Sequence, residues 1–118
     1  MKNIKVYEYK KCSTCVKALK FLRTRGVNFE AVDIAAEGPS KNELSKMLGH
    51  YKGDLKRLFN TSGQLYRELN VSEKLKSMSQ EDALTLLSKH GMLVKRPFVL
   101  TPSAGLVGFK EDEWKKVF

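Results

Sequence analysis

Polar and apolar positions alternate from Ile4 to Tyr9, which puts Ile4 and Val6 on one face and Tyr7 and Tyr9 on the other, the pattern of a strand covered on both sides. Apolar residues then recur at helical spacing. Cys15, Ala18, Leu19 and Leu22 share a face, Lys17, Lys20 and Thr24 point away, and Gly26 supplies a left-handed stop. This predicts a helix over 13–25. Val27 to Ile34 is rich in β-branched and aromatic residues and short enough for a second strand, so the chain opens as βαβ, the unit of a parallel pair.

From Glu37 to Gly91 the apolar spacing is helical and no strand-like alternation persists. Ser40 and Glu43 make a capping box ahead of Leu44, Met47, Leu48 and Tyr51. Short helical pieces are expected around Leu55, Leu58 and Phe59, then Leu65, Tyr66 and Leu69, then Val71, Leu75 and Met78. Another helix opens near Ser79, with Glu81 and Asp82 in its first turn, and stops at Gly91. Pro97 introduces Phe98-Val99-Leu100, turn residues fill Thr101 to Gly105, and Leu106-Val107 complete a hairpin. A last short helix places Trp114, Val117 and Phe118 on its apolar side.

With 118 residues, 42% hydrophobic and 30% charged, the chain suits one domain over 1–118, its sheet built from 1–36 and 92–118 with 37–91 as a helical insertion. A chain this long needs no disulfide staple or structural metal. No apolar run approaches the roughly 18–20 residues of a membrane helix, and the start, MKNIKVYEYKKC, lacks a signal-peptide core. The expectation is a soluble, cytoplasmic monomer without membrane contact. In a reducing compartment its two cysteines are catalytic, sensing or metal-binding rather than structural. Lys and Arg number 22 against 13 Asp and Glu, a formal charge of +9. These cations run from Lys2 to Lys116 on polar helix faces without any nucleic-acid motif, so they read as a solvated basic surface rather than a direct nucleic-acid interface.

Cys12-Ser13-Thr14-Cys15 is a C-x-x-C at the junction of the first strand and helix. At a helix start Cys12 faces free backbone N–H groups and the positive end of the dipole, both of which favour thiolate, and Lys10 and Lys11 add charge beside it. Cys15 falls one turn later on the inward face. It is either the thiol that resolves a mixed disulfide at Cys12 or a small buried core residue. A zinc site is poorly matched, because one C-x-x-C with His50 and His90 distant gives no four-ligand pattern. Arg96-Pro97 is the second feature: a cis bond there would turn the chain toward the cysteine loop and bring Arg96 near the thiolate, whereas the alternative is a surface arginine before a turn.

The strand ending in Tyr7, Cys12 and its C-x-x-C, Leu58-Phe59-Asn60-Thr61-Ser62-Gly63 leading to Tyr66-Arg67-Glu68-Leu69, Lys95-Arg96-Pro97 and Val107-Gly108-Phe109-Lys110-Glu111 together resemble the arsenate reductase (ArsC)-related family, which also holds the Spx-type regulators. The resemblance spans essentially the whole chain. It implies an α/β, thioredoxin-like fold, βαβ, helical insertion and ββα on a four-stranded mixed sheet, with Cys12 as the redox cysteine, Arg96 as the arginine beside the active site and Pro97 as the cis-proline. Arsenate-reducing members carry three anion-binding arginines, and only Arg96 matches; the middle position falls at Asn60 and the last near Gly108 or Phe109. Two missing charge-assisted contacts weaken oxyanion binding by a factor on the order of 100, unless Lys110, Arg57 or Arg67 compensates. Those members also lack a second cysteine three residues on, and their histidine before the nucleophile is Glu8 here. Spx-type members share the C-x-x-C, where a disulfide switches binding to RNA polymerase, but generally run further beyond the last helix.

Three functions follow. The first is a thiol–disulfide oxidoreductase in which Cys12 attacks a disulfide of a protein or of glutathione and Cys15 resolves it, with Lys11, Ser13, Thr14, Asn60, Arg96 and Pro97 as substrate contacts. It needs no tightly bound cofactor, only glutathione as co-substrate, with glutaredoxin or a protein disulfide as partner. The second is a redox-switched regulator that docks on RNA polymerase, and the third an arsenate reductase using glutathione or glutaredoxin.

Overall fold

A computed structural model describes residues 4–118, so Met1, Lys2 and Asn3 of the alternating start lie outside the described residues. Strands β1 (Lys5–Glu8), β2 (Glu30–Asp33), β3 (Phe98–Leu100) and β4 (Gly105–Val107) form one sheet in the order β2-β1-β3-β4. β1 runs parallel to β2 and antiparallel to β3, and β3 and β4 form the hairpin. Helix α1 (Ser13–Thr24) joins the parallel pair, α2 (Lys41–His50), α3 (Gln64–Glu68), α4 (Val71–Lys74) and α5 (Gln80–Lys89) lie between β2 and β3, and α6 (Glu111–Val117) ends the chain. This is the thioredoxin-like arrangement implied by the resemblance. Among the described residues no helix is long and apolar enough to cross a membrane.

The period of two in β1 divides the core. Val6 joins Val99, Leu106, Ala18, Leu19, Leu22 and Trp114 on the face covered by α1 and α6. Tyr7 and Phe98, edge to face at 5.8 Å, pack on the other face against Leu44, Met47, Leu58, Leu87 and their neighbours from the helical segment. Strand β2 lies at the sheet edge and is mostly exposed, and its ladder pairs Glu30–Asp33, part of the longer run expected there, with the four residues of β1. Gly26, at φ +70°, closes α1 as predicted.

Three expectations need correction. The segment 37–91 is not helical throughout, because Phe59 extends to form an antiparallel bridge with Val94. Gly91 does not cap α5: the helix stops at Lys89, and Gly91 opens a tight turn over Gly91–Leu93. A Cβ on Gly91 would sit 2.3 Å from the Ile34 carbonyl oxygen, so the glycine is required by close approach of two backbones. Val117 is 38% exposed, and Trp114 carries the burial of α6 with Phe118 packed beside it.

The capping box ties α2 to the sheet. Glu43 N–H donates to Ser40 Oγ at 3.1 Å, Ser40 N–H donates back to Glu43 Oε1 at 2.9 Å, and the buried Tyr7 hydroxyl donates to the same oxygen at 2.7 Å. Lys5 Nζ lies 3.3 Å from Glu43 Oε2. Burial pushes the Glu43 carboxyl up, but the Ser40 N–H, Tyr7 and Lys5 outweigh it and hold the group below its ordinary value. Glu43→Ala removes the box and leaves the Tyr7 hydroxyl without its partner, an expected cost of about 2–3 kcal/mol in urea unfolding. Because the folded value is depressed, the carboxylate's contribution is complete above its unfolded value, about 4.3, and lost as pH falls through the folded one. The stability gap between wild type and Glu43→Gln should therefore close on acidification. A gap independent of pH would show that charge has no part in the tie.

Candidate active site

Cys12 occupies the N-cap of α1, where serine, threonine or aspartate usually turns an oxygen to the first-turn N–H groups. Its own N–H donates to the Tyr9 carbonyl at 3.0 Å and its carbonyl accepts from Val16 at 3.1 Å, which fixes the residue at the helix mouth. Cys12 makes no side-chain cap hydrogen bond, so the first-turn N–H groups at the helix mouth face its sulfur without an oxygen to cap them. Burial pushes the Cys12 thiol up, but the Cys15 N–H and thiol, the Arg96 guanidinium and the Thr14 N–H together hold it below its ordinary value. Cys15 differs sharply: it is fully buried, and burial pushes its thiol up to about 12. Both cysteines are free thiols, Cys12 half-exposed in front and Cys15 enclosed behind. The positive charge acting on Cys12 comes from Arg96; Lys10 and Lys11, its sequence neighbours, are turned to solvent.

The Arg96–Pro97 bond is cis. The Pro97 carbonyl accepts from Gly108 N–H at 2.9 Å, and Gly108, at φ +71°, offers its own carbonyl to Trp114 Nε1 at 3.1 Å. Arg96 lies over the Tyr9 ring at 5.2 Å and donates from Nη1 to the Met92 carbonyl at 3.3 Å. Among the described residues its buried Nε has no hydrogen-bond partner. The Phe59–Val94 bridge brings the other wall into place: Asn60 N–H donates to Leu93 O at 2.7 Å and Lys95 N–H to Leu58 O at 2.8 Å, so the Asn60 loop runs beside Arg96.

These elements enclose a cleft of about 630 Å3 that contains Cys12, Thr14, Asn60 and Arg96. Lys11, Ser13 and Pro97 do not line it: Lys11 and Ser13 are exposed, and Pro97 is buried behind the wall. Among the described residues four cations, Arg57, Lys95, Arg96 and Lys110, border the cleft, and no carboxylate does. Of the three residues named as compensating charges, Arg57 and Lys110 reach the cleft, whereas Arg67 donates instead to the Ser62 carbonyl at 3.1 Å. Lys95 was legible only as the neighbour of Arg96. Arg57 is held 4.7 Å over the Tyr51 ring, whose hydroxyl accepts from Val107 N–H at 3.0 Å. The cleft thus joins a sulfur nucleophile favoured as thiolate to a positive, half-open mouth suited to anionic substrates. Among the described residues no cluster of three or more His, Cys, Asp or Glu has metal-binding geometry.

The chain is similar to several known proteins. The uncharacterized protein YusI of Bacillus subtilis is 46% identical over 110 residues, covering 93% of each chain. The crystal structure of an ArsC family related protein from Bacteroides fragilis superposes with a TM-score of 0.92 at 39% identity over 98% of both chains. The global transcriptional regulator Spx of Bacillus subtilis is 26% identical over 96% of this chain and 85% of its own. The model of the ArsC family matches residues 7–117, from the strand before the cysteine loop to the last helix, and the chain belongs to the ArsC family.

Proposed function

We propose that the chain is a cytoplasmic thiol–disulfide oxidoreductase. The observation that carries this reading is the pairing of Cys12, favoured as thiolate at the helix mouth, with a second thiol one turn behind it. The Cys12 thiolate attacks one sulfur of a substrate disulfide, forming a Cys12–substrate bond and releasing the other sulfur as thiolate. Cys15 then gives up its proton to solvent or to the departing sulfur and attacks Cys12 Sγ. The substrate leaves as a second thiolate, and the Cys12–Cys15 dithiol has become a disulfide with two electrons passed on. Two molecules of a thiol reductant such as glutathione return it to the dithiol. Arg96 and the other cations of the cleft hold the anionic parts of the substrate.

The test is turnover of a glutathione mixed disulfide by the reduced protein with excess glutathione. Wild type should turn over. Cys15→Ser should retain a slower rate, because free glutathione can take over the resolving attack. A reduced wild-type protein inert toward every disulfide offered would end this reading.

A second reading, a redox switch acting through RNA polymerase, draws on the 26% identity with Spx and the C-x-x-C at Cys12. It predicts capture of polymerase by one redox state only. Arsenate reduction is the third; Arg57 and Lys110 favour it by restoring charge around Asn60, and turnover of arsenate with glutathione and glutaredoxin is its test.

A further inference from the structure

A second groove shares one wall residue with the first. Phe109 lines both the Cys12 cleft and a groove of about 420 Å3 along the outer face of α1, bounded by Lys17, Lys20, Phe21, Arg25 and Glu111. Its floor is rigid: Phe21 and Phe109 meet edge to face at 5.6 Å, and Phe109 rests on the buried Trp114 at 5.0 Å. Phe109 follows Gly108, whose two backbone bonds to Pro97 and Trp114 fix its place beside the cleft. The one acid in the groove, Glu111, lies 3.6 Å from Lys115 within α6, and among the described residues Lys17 and Lys20 have no carboxylate within ion-pair distance. Arg25 is already engaged, donating to the Phe118 carbonyl at 2.7 Å and lying 5.1 Å over the Phe21 ring, so the groove presents partly exposed aromatic rings beside the unpaired ammonium groups of Lys17 and Lys20.

Length identifies the occupant. At 1.5 Å per helical residue, Lys17 stands roughly 8 Å along α1 from Cys12 and Arg25 roughly 20 Å. An extended peptide covers about 3.3 Å per residue, so it meets these cations about two to six positions from a cysteine held at Cys12. A tripeptide thiol such as glutathione, with one residue on either side of its cysteine, is too short to span the groove. We propose that the disulfide reduced at Cys12 belongs to an acidic polypeptide, whose flanking chain lies along α1 with an apolar side chain on Phe21 and Phe109 and carboxylates at Lys17 and Lys20. The inference rests on the oxidoreductase reading and names its substrate class; the chemistry is the exchange already written, with a protein cysteine as one sulfur and glutathione as the reductant.

Three disulfides separate the two. One is glutathione disulfide. The others are nine-residue peptides with a central cysteine in mixed disulfide with glutathione, flanked on both sides either by Glu and Leu or by Lys and Leu. Each kcat/KM is divided by that protein's own value for glutathione disulfide. Wild type should favour the Glu peptide over the Lys peptide by about tenfold at low salt, and the preference should shrink in 1 M salt, where the screening length is about 3 Å. Lys17→Glu with Lys20→Glu should erase it, and Lys17→Gln with Lys20→Gln should reduce it by half or more should charge reversal disturb folding. A preference that survives both variants would belong to the cleft cations and overturn the groove, as would equal rates for the two peptides. Loss of turnover with all three disulfides would remove the oxidoreductase reading itself.

Discussion

Cys12→Ser is expected to lower disulfide turnover on the order of 10^3-fold or more, with circular dichroism and the urea midpoint close to wild type. The nucleophile in thiol–disulfide exchange is the thiolate, and a hydroxyl in its place stays protonated at neutral pH. The helix does not need the sulfur: Cys12 is half-exposed, and a serine oxygen caps α1 at least as well. Losses of this size are usual when a nucleophile is removed from groups that act together. The same geometry fixes a pH dependence. Since the Cys12 thiol is held below its ordinary value, thiolate prevails until pH falls through that lowered value, and alkylation by iodoacetamide should reach half its plateau below the ordinary thiol range of about 8.5. Arg96→Gln removes one of the groups that lower it, so the midpoint should move upward and lost activity should return as pH rises. Full turnover by Cys12→Ser would take the chemistry away from this cleft.

Trp114→Ala is expected to cost about 3–5 kcal/mol, the largest stability loss among the changes considered. Its indole is 1% exposed and meets Phe21, Phe109 and Phe118. Its Nε1–H is bonded to the Gly108 carbonyl, which would be left without that donor. Set against the 5–15 kcal/mol typical of a whole domain, the loss brings the chain close to unfolding. Trp114→Phe keeps most of the apolar volume and should cost markedly less. A Trp114→Ala urea midpoint near wild type would mean that α6 is not part of the cooperative core. The two predictions meet at Phe109, which joins the packing of Trp114 to the lining of the cleft.

Local patterns carried much of the architecture. The alternation in β1, the helical stripe of Cys15, Ala18, Leu19 and Leu22, the Gly26 stop and the Ser40–Glu43 box each act within a few residues, and each appears where its pattern places it. The bridge between Phe59 and Val94 was hidden because one extended residue has no period; its conformation is set by a partner distant in sequence. Gly91 was misread for a related reason, as a left-handed stop and a contact too tight for a side chain call for the same residue. Within the site, Cys12, Thr14, Asn60 and Arg96 do share one cleft. Lys11 misled because adjacency along a chain is not adjacency in space: it leaves the helix mouth toward solvent, while Arg96 arrives on another element.

The sulfur at the N-cap of α1 links the redox couple to the energetics of the helix. First-turn N–H groups that stabilise a Cys12 thiolate give it up when the sulfur enters a disulfide, so oxidation exchanges a charged cap for a neutral one. By thermodynamic reciprocity, whatever lowers the thiolate's proton affinity also favours the dithiol over the disulfide, and the couple shifts toward a more oxidising potential. On the oxidoreductase reading proposed above, the direction of exchange is then set by the ratio of reduced to oxidised thiols around the protein, and its expected role is a relay between a disulfide and that pool.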